Sequence, residues 1–358
     1  MKLKKLRRQI DNLDIEIVHL LFRRIEISLL SRNLKKRVED KKREAEIFSK
    51  IQKNYSELID TDFLQRLYSQ VIDYGKSLQE KELKLIAFQG EHGAYSEVAA
   101  RLWDKNFMPI SCLSFTEVFE KVMQGFCDFG VIPMENSLGG IIGEVNERLL
   151  NTDAKIVGAI DLAVSHCLLA TKDTNYREIK QVYSHPQALS QCLNFVRRHK
   201  LKSIEHYDTA ASAKLISQKQ DKTSAAISSE LAAKYYDLEI LKSGIEDHQP
   251  NITRFLLIAK NPVEQENANK CSIVFSTPNS NKAGSLYNIL RVFAEKGINL
   301  TRIESFPRFD KTGHFAFFVD FIGSDKDKRV KVCLEKINSQ TDGFKLLGCY
   351  RELFSGQK

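Results

Sequence analysis

The stretch Leu83-Lys84-Leu85-Ile86-Ala87-Phe88-Gln89-Gly90-Glu91-His92-Gly93 separates two textures. Before it, apolar residues recur at steps of three and four, Pro is absent and Gly occurs only at position 75. From Lys84 to Phe88 the chain reads as a short strand, and Gly90 and Gly93 make a turn ahead of a helix whose N-cap is expected to be Ser96. One hydrophobic period cannot serve both sides of this boundary, so the 358 residues are read as several domains.

Working backwards, Leu6, Ile10, Leu13, Ile17 and Leu20 follow one helix face, and Arg24 continues that seam. One helix is expected to about Arg37, a second over Lys41–Asn54, and a third from Asp60-Thr61-Asp62 to about Glu82. Three such helices in residues 1–83 cannot bury their stripes within one chain, so an all-α helical dimer is expected. Working forwards, residues 84–262 alternate strand and helix. Ser114-Phe115-Thr116-Glu117 is a capping box, strands fit Phe129–Ile132, Ile156–Ala159, Cys167–Ala170 and Phe255–Ala259, and helices fit Gln187–His199 and Ala210–Gln218. After a polar linker, residues 271–358 run strand, helix, strand, strand, helix, strand, the α+β ferredoxin-like order.

The formal charge is +8, and +6 of it lies in residues 1–84. Arg32 to Arg43 carries no nucleic-acid motif and no interleaved aromatics, so no nucleic acid is expected. Asp11, Asp14 and Glu16 interrupt any apolar run after the basic start. The weakly charged stretch Ile156–Thr171 is too short to span a bilayer, so no membrane partner and a cytoplasmic location are expected. Seven scattered cysteines without C-x-x-C read as reduced, buried thiols, and eight histidines without ligand spacing suggest no metal.

Lys35 lies eleven residues beyond Arg24, about 20° around a helix and roughly 16 Å along it, so the two share a face and could converge on one anion. Arg43 and Glu44 begin the second helix and Gln79 ends the third. The run Leu6-Arg7-Arg8-Gln9-Ile10-Asp11-Asn12-Leu13-Asp14, with Leu20-Leu21-Phe22-Arg23-Arg24, Lys35, Asp40, Arg43-Glu44 and Gln79, resembles the all-helical chorismate mutase domain over residues 3–82. The resemblance implies an intertwined dimer in which Arg7 of one subunit and Arg24 of the other hold the two carboxylates of chorismate. It also implies that Lys35 and Gln79 bond the ether oxygen and Glu44 with Asp40 the hydroxyl, while Arg43 is expected among the cations at the dicarboxylate. Gly75 stands where a serine is common in that family. A Claisen rearrangement suits such residues, because it needs a compact conformer and stabilised negative charge but no nucleophile or cofactor.

Asn136-Ser137 follows a buried strand, where open α/β sheets bind ligands. Together with Gly90–Glu97, Tyr183-Ser184-His185-Pro186-Gln187, Asp208-Thr209-Ala210 and Asn251-Ile252-Thr253-Arg254-Phe255, it resembles prephenate dehydratase over residues 84–260. That family implies two α/β lobes about a cleft, like type II periplasmic binding proteins, with Thr253 essential at the departing ring hydroxyl. Ser96, Asn136, Ser137, Ser184, Gln187, Thr209 and Arg254 would line the cleft. His185, beside Pro186 in a turn, ranks behind Thr253 as a proton donor.

Ala283-Gly284-Ser285-Leu286 and Glu304-Ser305-Phe306-Pro307 resemble the two effector motifs of an ACT domain over residues 271–350. The resemblance implies that paired domains bind phenylalanine through Gly284, Ser285, Leu286, Glu304 and Ser305, although Phe306 stands where arginine is usual. The expectation is a bifunctional homodimer, or a higher homo-oligomer, of phenylalanine biosynthesis. Three alternatives stay open: a dehydratase preferring arogenate, a dehydratase whose helical segment only dimerises, and a non-catalytic amino-acid sensor.

Overall fold

The computed structural model describes residues 2–34, 38–55, 57–277, 283–308 and 314–354. The chain forms two compact units, Met1–Leu85 with Asn106–Ile110, and Ile86–Lys105 with Ser111–Lys358.

The first unit is built on α1 (Lys2–Leu30), α2 (Lys41–Tyr55) and α3 (Thr61–Glu80). Asp60 caps α3, its carboxylate accepting from Phe63 N at 2.8 Å. The α-helical part of α1 ends earlier than its periodicity suggests, passing into a 3-10 turn at Ser31–Leu34. Ser31 Oγ donates to Ser28 O at 2.7 Å, a local bond that competes with the helical ladder. Toward the end of α1, Glu26 and Leu29 are buried, and α3 buries Leu64, Ile72, Gly75 and Gln79. By contrast Leu6, Ile10, Leu13, Ile17 and Leu20 remain between 53% and 66% exposed, so a single chain leaves most of the apolar seam open.

After the helices, one sheet combines β1 (Leu85–Gln89), β2 (Met108–Cys112), β3 (Phe129–Asn136), β4 (Gly140–Ile141) and β5 (Lys155–Ala163). The helices α4 (Tyr95–Trp103), α5 (Phe115–Met123) and α6 (Gly143–Asn151) connect them. The chain then crosses to a second sheet of β6 (Cys167–Ala170), β7 (Gln181–Ser184), β8 (Lys202–Glu205), β9 (Ser224–Ser228) and β10 (Glu239–Ser243). Its helices are α7 (Pro186–Gln191), α8 (Leu193–Arg198), α9 (Thr209–Lys219) and α10 (Glu230–Tyr235). β11 (Ile252–Ala259) returns to the first sheet, antiparallel to both β3 and β5. Two crossings between two sheets give the bilobal arrangement expected from the sequence. The strand orders are β5-β11-β3-β1-β2, with β4 on β3, and β10-β6-β9-β7-β8.

The helix expected over Gln187–His199 is two short helices parted at Cys192. Asp247 causes the break from a distance, its carboxylate accepting from Asn194 N at 3.0 and 3.1 Å and so starting α8 afresh. Ser96 is not an N-cap either: Ala94 holds that position without a side-chain bond, and Ser96 lies buried in the first turn.

The remaining chain forms β12 (Lys270–Ser276), α11 (Ser285–Glu295), β13 (Leu300–Pro307), β14 (Phe315–Ile322), α12 (Lys328–Gln340) and β15 (Asp342–Tyr350). The antiparallel order β13-β14-β12-β15 is ferredoxin-like, with Phe275, Phe293, Phe321 and Ile337 in its core. Lys345 on β15 donates to Leu150 O (3.1 Å) and Thr152 O (2.7 Å), which fastens this sheet to the end of α6. A last strand, β16 (Glu352–Phe354), joins the first sheet parallel to β5. Not all seven cysteines are reduced thiols: Cys271 and Cys349, paired in register on β12 and β15, form a disulfide, while the other five are free and buried. The adjacency arises from strand pairing 78 residues apart and leaves no mark in local spacing. Among the described residues no helix is long and apolar enough to cross a membrane, and no cluster could hold a metal ion.

Candidate active sites

A cavity of about 360 Å³ opens between the two lobes, within the size range of small-ligand sites. Thr253 enters it from the start of β11, beside the second crossing. A register shift between Arg254 and Phe255 lies beside Pro133, which has no N–H for the ladder, and Thr253 falls directly opposite Asn136. Asn136 Nδ2 donates to Thr253 Oγ1 and to Asn251 Oδ1, each at 2.8 Å. Asn136 Oδ1 accepts from Leu138 N (3.1 Å) and Gly139 N (2.8 Å). Gln187 reaches the wall because residue 139 is glycine: a Cβ there would lie 2.1 Å from Gln187 Nε2.

Of the residues expected to line the cleft, Ser96, Asn136, Gln187, Thr209 and Thr253 do so. Ser137 lies at the rim, where its Oγ accepts from Ile252 N at 3.0 Å. Ser184 is fully buried and donates to Ile227 O at 2.6 Å, joining β7 to β9. Arg254 points to the other face of β11, where it pairs with Asp161 (3.8 Å) and Glu352. His185 lines the cleft but caps α7, accepting from Gln187 N at 3.2 Å. Neither Lys nor Arg occurs among the described residues lining the cavity, and Asp208 is its one acidic group. Burial foremost, with neighbouring Glu91, pushes the Asp208 carboxyl up, against the bond it accepts from Ala211 N.

In the helical unit, Gln79 Nε2 donates to Ser28 Oγ (2.9 Å) and to Ser28 O. A Cβ at Gly75 would lie 3.3 Å from Ser28 Oγ and 4.0 Å from Arg24 Nη1, so Arg24, Ser28 and Gln79 surround one spot on α3. Arg24 also donates to Val71 O at 3.5 Å. One residue past Gly75, Lys76 Nζ pairs with Glu44 Oε1 at 2.8 Å, and that carboxylate holds the ammonium pKa up. Asp40 caps α2 by accepting from Arg43 N at 2.9 Å, and Arg43 pairs with Glu46 at 3.2 Å. Lys35 falls outside the described residues. Arg7 is exposed on α1, seventeen residues or about 25 Å before Arg24, too far to share a site with it in one chain.

Three family models match in succession: chorismate mutase type II over residues 6–80, prephenate dehydratase over 86–263 and the ACT domain over 279–338. The bifunctional chorismate mutase/prephenate dehydratase of Aquifex aeolicus is 33% identical over 361 residues, covering 98% of each chain. The chain belongs to the bifunctional chorismate mutase/prephenate dehydratase family. It is an enzyme with both activities. Arogenate dehydratase 2 of Petunia hybrida is 38% identical over 281 residues, 74% of this chain and 71% of the relative. Among solved structures, prephenate dehydratase from Arthrobacter aurescens in complex with L-Phe superposes with TM-score 0.69 at 28% identity, over 75% of this chain and 89% of that one. A protein described as a novel type of quorum-quenching acylase, GqqA, matches with the same score and identity over 75% and 97%.

Of the two segments expected to bind an effector, the one on β13 contacts the first lobe. Gly284 caps α11 at φ +84°, Ser285 starts the helix and Leu286 packs on the core. β13 alternates, placing Arg302, Glu304 and Phe306 on one face and Ser305 on the exposed other. Glu304 accepts from Asn146 Nδ2 at 3.1 Å and pairs with Arg302, which also meets Glu135 at 3.4 Å. Phe306 packs near Gly143 at the start of α6.

Sequence reasoning did not single out Tyr95, His166 and Gln191, which line the dehydratase cavity. Gln191 could have been found as the i+4 neighbour of Gln187 on one helix face. His166 lies in a crossing segment without periodicity and left no signal.

Proposed function

We propose that the helical unit, as a homodimer, rearranges chorismate to prephenate, and that the α/β cleft converts prephenate to phenylpyruvate with Thr253 at the departing hydroxyl. The domains are taken as 1–83, 84–262 and 271–358. The contact of Asn136 Nδ2 with Thr253 Oγ1 at 2.8 Å carries the dehydratase reading. With a lone pair engaged by that donor, the hydroxyl proton is left for a second partner in the cleft. The ring carboxylate departs as CO2, its bonding pair moves into the ring, and the ring hydroxyl leaves as water by taking the Thr253 Oγ1 proton, which solvent then replaces. With neither Lys nor Arg among the described residues lining the cavity, a substrate carboxylate is met by the N-terminus of α4, whose Ala94 cap supplies no competing side-chain acceptor, and by Gln187 and Thr209.

The open seam of α1 and the separation of Arg7 from Arg24 support a dimer in which Arg7 of the partner subunit completes each mutase site. Arg24 and that Arg7 hold the carboxylates with Arg43 as a further substrate-binding cation, Gln79 and Lys35 face the ether oxygen, and Glu44 with Asp40 the hydroxyl. Phenylalanine is the proposed effector, bound at paired ACT domains by Gly284, Ser285, Leu286, Glu304 and Ser305. Its signal has a short route, since Arg302 bonds both Glu304 and Glu135, the residue before Asn136. A cytoplasmic location fits these substrates.

Asp208 supports arogenate as a second substrate, because a carboxylate in the cleft suits that molecule's ammonium group. Purified protein given chorismate tests the main reading: prephenate and then phenylpyruvate are expected, with the second step slowed by added phenylalanine. Faster turnover of arogenate than of prephenate would favour the second substrate.

A further inference from the structure

Two backbone N–H groups in the dehydratase cleft dictate the tautomer of a distant histidine. Leu138 N and Gly139 N both point at Asn136 Oδ1, so that atom is the acceptor of its amide and the orientation of Asn136 is fixed. Gln191 approaches the same oxygen at 3.3 Å and must present Nε2 to it. Gln191 Oε1 then faces His166 Nε2 at 2.9 Å and also accepts from Asn251 Nδ2 at 3.1 Å. An oxygen facing Nε2 requires a proton on that nitrogen. Burial lowers the His166 pKa, outweighing the Gln191 contact and the nearby Glu246 carboxylate, which accepts from His166 N at 2.9 Å. The ring is therefore neutral and Nδ1 is bare, so the Tyr95 hydroxyl donates to it at 2.9 Å. The same hydroxyl lies 2.8 Å from Ser165 O, its alternative acceptor.

The result is one directed sequence of donors running Tyr95, His166, Gln191, Asn136, Thr253. It crosses between lobes twice: Tyr95, Asn136 and Thr253 belong to the first lobe, while Gln191 belongs to the second and His166 to the crossing segment. All five residues line the same cavity.

We infer that His166, held as its Nε2–H tautomer between Tyr95 and Gln191, is a positioning residue for the dehydration step, setting Gln191 and the lobe spacing that brings it against Asn136 and Thr253. The inference rests on the reading of this cleft as the dehydratase site. No proton is transferred along the sequence; its role is orientation.

The test uses the full chain with His166→Leu and His166→Gln. The leucine variant loses the donor to Gln191, and its dehydratase kcat is expected to fall on the order of tenfold or more with KM little changed. Glutamine carries an amide donor near the Nε2 position and should recover most of that loss. Nitrogen NMR of the wild type gives a readout that does not depend on any variant folding: Nε2 protonated and Nδ1 bare at neutral pH are expected. A protonated Nδ1, an undiminished leucine variant that retains mutase turnover, or a glutamine variant no better than leucine would each overturn the inference. A wild type inert toward prephenate would instead remove the assignment of the cleft, so the two failures are distinguishable.

Discussion

Arg254, the residue after Thr253, is ion-paired with Glu352 on the last strand of the chain. Glu352 also accepts from Lys270 Nζ at 2.8 and 3.1 Å, so one carboxylate on β16 bridges two cations. The side chains of Arg254, Lys270 and Glu352 are 11%, 8% and 13% exposed, so water cannot replace a lost partner. Removing the carboxylate by Glu352→Ala leaves two buried cations without their shared ion-pair partner, with Asp320 and Asp161 as the carboxylates still acting on Arg254. A loss of about 3–5 kcal/mol in unfolding free energy is expected, read by urea denaturation. A loss below about 1 kcal/mol would show that the pair is solvent-screened.

This relationship also marks how far the sequence was legible. The long helices of the first unit and the ferredoxin-like order were readable, because 3.6-residue and alternating periods are local properties. Thr253 and Asn136 stand in separate motifs, and only strand pairing sets them opposite each other. Arg254 was expected in the cleft, but it alternates with Thr253 on β11 and faces Glu352, a residue whose strand follows no pattern before it pairs with β5. The break at Cys192 and the Cys271–Cys349 bond likewise depend on partners far along the chain.

Gln79 is buried and bonded to Ser28 beside Arg24, an arrangement suited to holding an amide toward an ether oxygen. Gln79→Ala is expected to reduce mutase kcat by about 10²-fold, the scale of losing one preorganised donor, while prephenate turnover persists. Equal loss of both activities would point to unfolding instead.

Arg7 and Arg24 belong to different subunits of each mutase site in the proposed dimer. Arg7→Ala and Arg24→Ala proteins should each be inactive as mutases. Mixed and allowed to exchange subunits, they should regain about a quarter of wild-type activity, because half the dimers are hybrid and each hybrid has one intact site. No recovery after verified exchange would contradict a shared site.

Glu97 is fully buried on α4 and accepts from Gly93 N (2.8 Å), Arg101 Nε (2.8 Å) and Tyr235 OH (2.7 Å) beside His92. Burial raises its pKa, but His92 and the other donors outweigh burial and the net shift is downward. A carboxyl whose folded pKa is depressed contributes stability above its unfolded pKa of about 4.3, and that contribution is lost as pH falls through the folded value. Glu97→Gln should therefore destabilise the protein at neutral pH and flatten the acid limb of its stability curve. An unchanged acid limb would contradict the pairing.

In the proposed scheme one chain carries two separate sites, and Thr253 serves only the second. The most direct measurement gives chorismate to the Thr253→Ala protein and follows prephenate and phenylpyruvate together. Prephenate should accumulate at the wild-type rate with almost no phenylpyruvate; phenylpyruvate formed at a rate comparable to wild type would contradict the account.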